Sequence, residues 1–455
     1  MNREKFTWLL SIVFIALLAF QIPGEGRSRD DDYAFVRTLI DIHRQIDANY
    51  VEPVDNQKLQ EAAIDGMLGQ LDPFTNYVPA ANQEQFDDML EGSFRGVGIQ
   101  LDVKPNGAIE VVTPIDNSPA AKAGVEAGDI IQKVNGEDIA NLKLQDVIKK
   151  VKGPLGTPVT LTVKHVGGKV EDLTMNREDI VVRTIKGYRR RADAKPTDAD
   201  PWDYWVSKNP RIGYVRITQF TADTFDSLKK VMTKLMAEHM QGLILDVRFD
   251  PGGRLDQAKE VVNLFVSKGV IVSVKGRNRP EEITRAKPGE ALPDFPMVVL
   301  VNEHSASASE IVSGSLKDNK RALIVGVRTY GKGSVQELIP LEGKNGELKL
   351  TVAYYYLPSG RLVHKKKDST DWGVDPQLVV PMDPEQQKAL LLEQSELDVM
   401  HNSATHPTTQ PAFVDQQLKA GLEALIEDIR SGKNADVPPA PVPTSEPTTK
   451  PVIRS

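Results

Sequence analysis

Ser307, within Ser305-Ala306-Ser307-Ala308-Ser309-Glu310, and Lys332, within Gly331-Lys332-Gly333-Ser334-Val335-Gln336, have the residue types for covalent chemistry. A serine hydroxyl attacks a carbonyl once a base takes its proton, and a buried, neutral lysine amine is one base used in peptide-bond cleavage. The glycines flanking Lys332 let other backbone approach closely. Ser307-x-x-Glu310 ahead of Ile311-Val312 also fits a capping box, and taken alone a helix N-cap worth about 1 kcal/mol is the better reading of Ser307. The two readings are compatible. A helix start has unpaired N–H groups and partial positive charge that suit an oxyanion, and the N–H of Ala308 is the obvious donor.

The base has few candidates. His304 is too close in sequence to swing onto Ser307, His364 follows a long strand without an evident carboxylate partner, and no metal-binding spacing occurs among the seven histidines. Lys332 remains, provided that burial keeps its amine neutral. If residues 332–336 are extended, Lys332, Ser334 and Gln336 share one face, and Gln336 can accept a hydrogen bond from the amine and aim it. An ordinary loop lysine is the bland alternative. A phosphate loop over Gly326-x-x-x-x-Gly331-Lys332 fails because Gly333 replaces the required Ser or Thr, and Pro340 with the Gly343–Gly346 turn leaves no room for the helix that should follow.

The elements that must position these residues belong to a chain of 455 residues, too long for one core and sized for roughly two to four domains. Net charge is −7 without a long basic run, which speaks against nucleic acid as a partner. The absence of cysteine excludes a thiol nucleophile, disulfides and a lipid-modified cysteine. No cofactor or metal is called for. Arg3 and Lys5 ahead of the apolar run Phe6–Phe20 read as an export signal over 1–28, placing the mature protein in the periplasm or on the outer face of the inner membrane. Without a clean small-x-small cleavage site, an uncleaved membrane anchor stays open.

Residues 29–92 read as helical, with Phe35, Leu39, Ile42 and Ile46 at helical spacing, and as a packing cap. From Gly92 short apolar runs alternate with glycine and proline, describing a β-rich unit over 93–180. Phe94-Arg95-Gly96-Val97-Gly98-Ile99, Ser118-Pro119-Ala120-Ala121, Gly124, Gly128 and Val134-Asn135-Gly136 resemble, in order, a PDZ domain. Gly96, Val97, Gly98 and Ile99 would then turn backbone N–H groups toward a free peptide carboxylate, while the adjoining strand edge pairs with the peptide. A plain tight turn is the competing reading. Over 181–384 strands and helices alternate, giving an α/β unit whose candidate residues follow strands 243–245 and 298–301.

Asn302, the Ser305–Ile311 run, Arg321-Ala322, Val325-Gly326, Gly331–Gln336, Tyr355–Arg361 and Asp375-Pro376 together resemble the carboxyl-terminal processing, or tail-specific, proteases. Tyr50–Val54, Gly66-Met67-Leu68 and Leu71-Asp72-Pro73 extend the resemblance over residues 35–380. It implies a crotonase/Clp-peptidase-like catalytic core with an inserted PDZ domain, Ser307 as nucleophile, Lys332 as general base and Gln336 orienting the lysine. It also implies an oxyanion hole from Ala308 and a glycine after Pro251, Gly253 rather than Gly252, and protein substrates with nonpolar C-termini. Three positions depart from the family: Asp250 stands where asparagine is common, Phe74 replaces a histidine, and Lys152 replaces an arginine that helps couple the PDZ domain to the active site.

After Pro384 a helical region spans 385–435, with Val414, Leu418, Leu422, Leu425 and Ile429 on one face. Relatives often dimerise through terminal helices, so this stripe is either a homo-oligomer interface or packs on its own core. Residues 436–455 are Pro-rich and expected to be disordered. The expectation is an exported serine endopeptidase that recognises protein C-termini, with an adaptor protein left open. A non-catalytic PDZ scaffold or chaperone on the same fold is the alternative.

Overall fold

A computed structural model describes residues 29–399 and 413–432; the leader or anchor read over 1–28 and the tail read over 436–455 lie outside them. The chain divides between Leu71 and Asp72. The first unit holds helices α1 (Arg29–Asn49) and α2 (Asn56–Leu68). Asp55 caps α2, accepting the amides of Gln57 and Lys58 at 3.2 Å. The α1 positions Leu39 and Ile42 lie exposed, and Ile46 is half-buried.

The second unit begins with helix α3 (Ala80–Glu91) and then the β-rich part. Strands 99–103, 109–114, 130–134, 158–164 and 170–176 pair antiparallel in that order. Helices α4 (Pro119–Ala123) and α5 (Leu144–Val151) close this sheet over Val111, Ile131, Leu161 and Val163, all buried. Ser118 caps α4 by accepting the Ala121 amide at 3.2 Å.

The catalytic-type core is built on four parallel strands in sequence order: β1 (Arg211–Ile217), β2 (Gly242–Asp246), β3 (Met297–Val301) and β4 (Leu323–Gly326). Parallel neighbours need crossovers, supplied by α6 (Thr224–Ala237), α7 (Leu255–Asn263) and α8 (Ala308–Asp318). Strands β2 and β3 are buried throughout, hence their uninterrupted apolar sequences. The three crossover helices cover one face. The other face is covered by Leu418, Leu422, Leu425 and Ile429 of α10 (Gln416–Ser431), which follows α9 (Pro384–Asp398). The amphipathic stripe therefore packs on its own sheet, and only Val414 of the five remains exposed. A second, antiparallel sheet contributes β5 (Ser334–Pro340) and β6 (Glu347–Tyr356). The architecture is α/β with a PDZ domain and helices toward both termini, as expected from the sequence.

Candidate active site

Open parallel sheets present their loops at the carboxyl ends of the strands, and the loops after β2, β3 and β4 converge here. The turn after β3 is tightly bound: the Asn302 amide donates to Ser305 Oγ at 3.0 Å, Ser305 Oγ to the Val247 carbonyl at 2.8 Å, and the Ala306 amide to the Asp250 carbonyl at 3.0 Å. These bonds hold Ser307 at φ +56°, a conformation that costs a non-glycine residue of order 1–3 kcal/mol. The Ser307 amide donates to Glu310 Oε2 at 2.9 Å, and Tyr355 Oη donates to the Ser307 carbonyl at 3.0 Å. Gly252 makes the strained turn possible from the other side, since a Cβ there would lie 2.6 Å from Ser307 Cβ.

Ser307 opens into a cleft of about 660 Å³ lined also by Gly252, Gly253, Ala308, Lys332, Gln336, Lys349 and Tyr355. The Gly252 amide donates to Asp250 Oδ1 at 2.8 Å. Among the described residues the amides of Gly253 and Ala308 donate to no protein acceptor, leaving two N–H groups beside the serine. Asp250 is fully buried, and its Oδ2 has no hydrogen-bond partner. Burial pushes its carboxyl well above the ordinary range, opposed by the hydrogen bonds from Gly252 and Ser309. Burial thus favours the protonated form of its carboxyl, and the loop keeps its N–H groups.

Lys332 is held by its backbone. Its amide donates to Glu310 Oε2 at 2.8 Å, its carbonyl accepts Tyr355 Oη, and a Cβ on Gly333 would sit 2.4 Å from the His364 nitrogen. Burial lowers the pKa of its amine, helped by Lys349 and opposed by Glu310. The amine lies 5.0 Å from the centroid of the Phe74 ring and is not hydrogen-bonded to Ser307. Gln336 Nε2 donates to Ser334 Oγ at 2.8 Å and to Thr351 Oγ1 at 3.1 Å. Ser334 and Gln336 share a face, whereas Lys332 precedes the strand, and a bulge interrupts the register between Val335 and Gln336. Strand β5 rather than a helix is the next element after Lys332, which removes the phosphate-loop reading.

Glu310 went unrecognised as more than a cap. Its Oε1 accepts Thr329 Oγ1 and the Gly331 amide, both at 2.6 Å, while Oε2 accepts the amides of Ser307 and Lys332. One buried carboxylate thereby joins the serine turn to the lysine loop. Its pKa is raised by burial against the pull of those four bonds. The capping-box spacing was its only sequence signal.

In the PDZ domain, Gly98 adopts φ +77° and a Cβ there would lie 2.3 Å from Ser118 Cβ. The Val97 and Gly98 carbonyls accept the amides of Ala120 and Ile115, each at 2.9 Å, while the amides of Val97 and Gly98 donate to no acceptor among the described residues. Gly96, Val97, Gly98 and Ile99 line a groove of about 500 Å³ with Leu101, Ile148 and Lys152. Helix α3 forms the opposite wall, and Asp88 on it bonds Lys152 Nζ at 2.6 Å.

Residues 211–380 match the model of Peptidase family S41, residues 110–165 a PDZ domain, and residues 23–82 the activating protease CtpB N-terminal domain. A carboxy-terminal-processing protease of Bartonella bacilliformis is 41% identical over 406 residues, covering 87% of each chain. A probable CtpA-like serine protease of Staphylococcus aureus is 31% identical over 423 residues, 92% of this chain and 77% of its own. The solved photosystem II D1 C-terminal processing protease is 28% identical, covering 75% of this chain and 88% of that one, with a TM-score of 0.41. By the identity and coverage of the Bartonella relative, the chain belongs to the carboxy-terminal-processing protease family and is a serine-type peptidase carrying a PDZ domain.

Proposed function

We propose that this peptidase is exported, takes protein substrates by their nonpolar C-termini at Gly96–Ile99, and cleaves them with Ser307 as nucleophile, Lys332 as general base and Gln336 orienting the amine. The observation that carries this reading is the pair of unpartnered amides, Ala308 and Gly253, flanking a strained serine in the cleft that also holds Lys332. As Ser307 Oγ bonds to the scissile carbonyl carbon, its proton passes to the neutral amine and the carbonyl oxygen gains the negative charge. Ala308 and Gly253 N–H groups stabilise that oxyanion. Lys332 then protonates the departing peptide nitrogen as the C–N bond breaks, and later takes a proton from the water that hydrolyses the acyl-enzyme.

The periplasm or the outer face of the inner membrane is the proposed location, with residues 1–28 as leader or anchor. An adaptor protein and self-association through the exposed α1 stripe are proposed partners of the same assembly. Ser307→Ala and Lys332→Ala are each expected to abolish cleavage of a protein with an apolar tail while the far-UV spectrum and melting temperature stay put. Undiminished cleavage by either variant sinks the assignment.

A further inference from the structure

Lys332 faces a choice of seats within one cleft. Its ammonium lies over Phe74 at 5.0 Å, inside the roughly 6 Å range over which a ring face attracts a cation. It bonds neither Ser307 nor Gln336. The ring itself is fixed: the Phe74 amide donates to Asp72 Oδ1 at 2.8 Å, and its ring meets His364 edge-on at 6.3 Å. His364 in turn lies 4.8 Å from Tyr354.

Asp72 anchors the second seat as well. It accepts Thr75 N–H at 2.9 Å, Thr75 Oγ1 at 2.8 Å and Thr351 Oγ1 at 3.2 Å, and Thr351 accepts Gln336 Nε2 at 3.1 Å. The parking ring and the orienting amide therefore share one carboxylate. The Gln336 amide nitrogen is already engaged, which leaves its carbonyl oxygen for the amine.

We propose that Phe74 is a positioning residue that parks the Lys332 ammonium out of reach of Ser307, and that acylation requires the amine to exchange the ring for Ser307 Oγ and the Gln336 carbonyl. The proposal rests on the reading of Ser307 and Lys332 as the reacting pair. A ring face attracts the charged amine and not the neutral one, so Phe74 opposes the burial and the Lys349 charge that favour loss of the proton. The other charge acting on the amine comes from Glu310 on α8, which also accepts the Lys332 amide. His364 is kept from protonating by burial, with Asp72 opposing and Lys366 assisting.

The test is the rate at which a fluorophosphonate modifies Ser307 in the full-length protein, followed from about pH 6 to 10, the span that holds a lowered lysine pKa. In that reaction the Oγ–P bond forms, the P–F bond breaks, fluoride leaves and the hydroxyl proton passes to Lys332. Removing the ring face in Phe74→Leu is expected to lower the apparent pKa by about half a unit to one unit, raising the rate near neutrality roughly three- to ten-fold. Phe74→Met repeats the measurement should the leucine variant not fold, and Phe74→Tyr, which keeps the face, is expected to keep the wild-type pKa. Superimposable pH profiles for wild type and the ringless variants, or a uniform fall in rate at unchanged pKa, overturn the proposal. Labelling of Lys332→Ala at the wild-type rate overturns instead the assignment of the base, whatever the Phe74 variants do.

Discussion

Asp250 illustrates how one atom changes a residue's behaviour without changing its place. It fills the position of an asparagine and accepts the Gly252 amide, while burial pushes its carboxyl well above the ordinary range and leaves its second oxygen without a partner. Its folded pKa is raised above the unfolded value, so the protein binds the extra proton only when folded. The stability it contributes is whole below the ordinary carboxyl range and drains away as pH rises toward the folded value, by about 1.4 kcal/mol per unit. Asp250→Asn is therefore expected to melt like wild type near pH 4 and progressively higher than wild type toward neutrality. Melting curves that stay parallel across that range refute it. Ser307 and Lys332 were legible as candidates only through the ordered motifs around them, since a helix cap and a loop lysine explain each residue taken alone. Glu310 was not, since nothing along the chain says that the Gly331–Lys332 amides will fold onto its oxygens.

Helix α3 is the element that touches both functional clefts. Its Asp88 bonds Lys152 beside the tail-binding groove, its Glu91 bonds Arg254 at 2.9 Å next to Gly253, and Met89 lines both cavities. Lys152 thus already has a carboxylate partner in Asp88, and a peptide C-terminus bound as proposed would compete with Asp88 for it. The pair is partly exposed, with side chains 31% and 25% accessible, so it is worth about 0.2–1 kcal/mol. Asp88→Asn is accordingly expected to raise basal cleavage only two- to five-fold at low salt, an advantage that shrinks at high salt as screening weakens the wild-type pair. A variant as slow as wild type at low salt counts against the Asp88–Lys152 pair as a restraint on basal cleavage. The buried strands were readable as apolar runs, and α10 as an amphipathic stripe, although which surface that stripe meets was not. α3 left no such mark: none of its residues is buried, so its sequence lacks the apolar period that betrays a core helix.

At the scale of the whole molecule, the sheet that carries the site is closed by residues far along the chain. Arg248, fully buried after β2, bonds Asp246 at 2.6 Å and Asp415, the cap of α10, at 2.7 Å. Burial alone would raise the Asp415 pKa, but the Arg248 charge and hydrogen bonds prevail and hold it below the usual carboxylate value. Its stabilising effect is thus complete above the ordinary carboxyl range and is lost as pH falls through the depressed folded pKa. Asp415→Ala removes two hydrogen bonds from a buried guanidinium that Asp246 alone still neutralises, and a loss of about 1–3 kcal/mol at neutral pH is expected by denaturant titration. A change under about 1 kcal/mol contradicts the triad's importance. The fold class was legible because strand and crossover patterns are local, whereas this pairing across residues 248 and 415 obeys no local pattern.

The same triad sets an order in time. Ribosomes deliver residues 1 to 414 before the carboxylate that completes the Arg248 site, and Arg248 lies two positions from Asp250 in the loop that aims the Gly253 amide. A chain that ends before Asp415 keeps the Arg248–Asp246 pair but lacks the carboxylate that ties this loop to α10. The tie between the oxyanion loop and the far end of the chain therefore has a readable consequence: Ser307 in a chain cut before α10 is expected to react more slowly with the same fluorophosphonate than in the full-length protein.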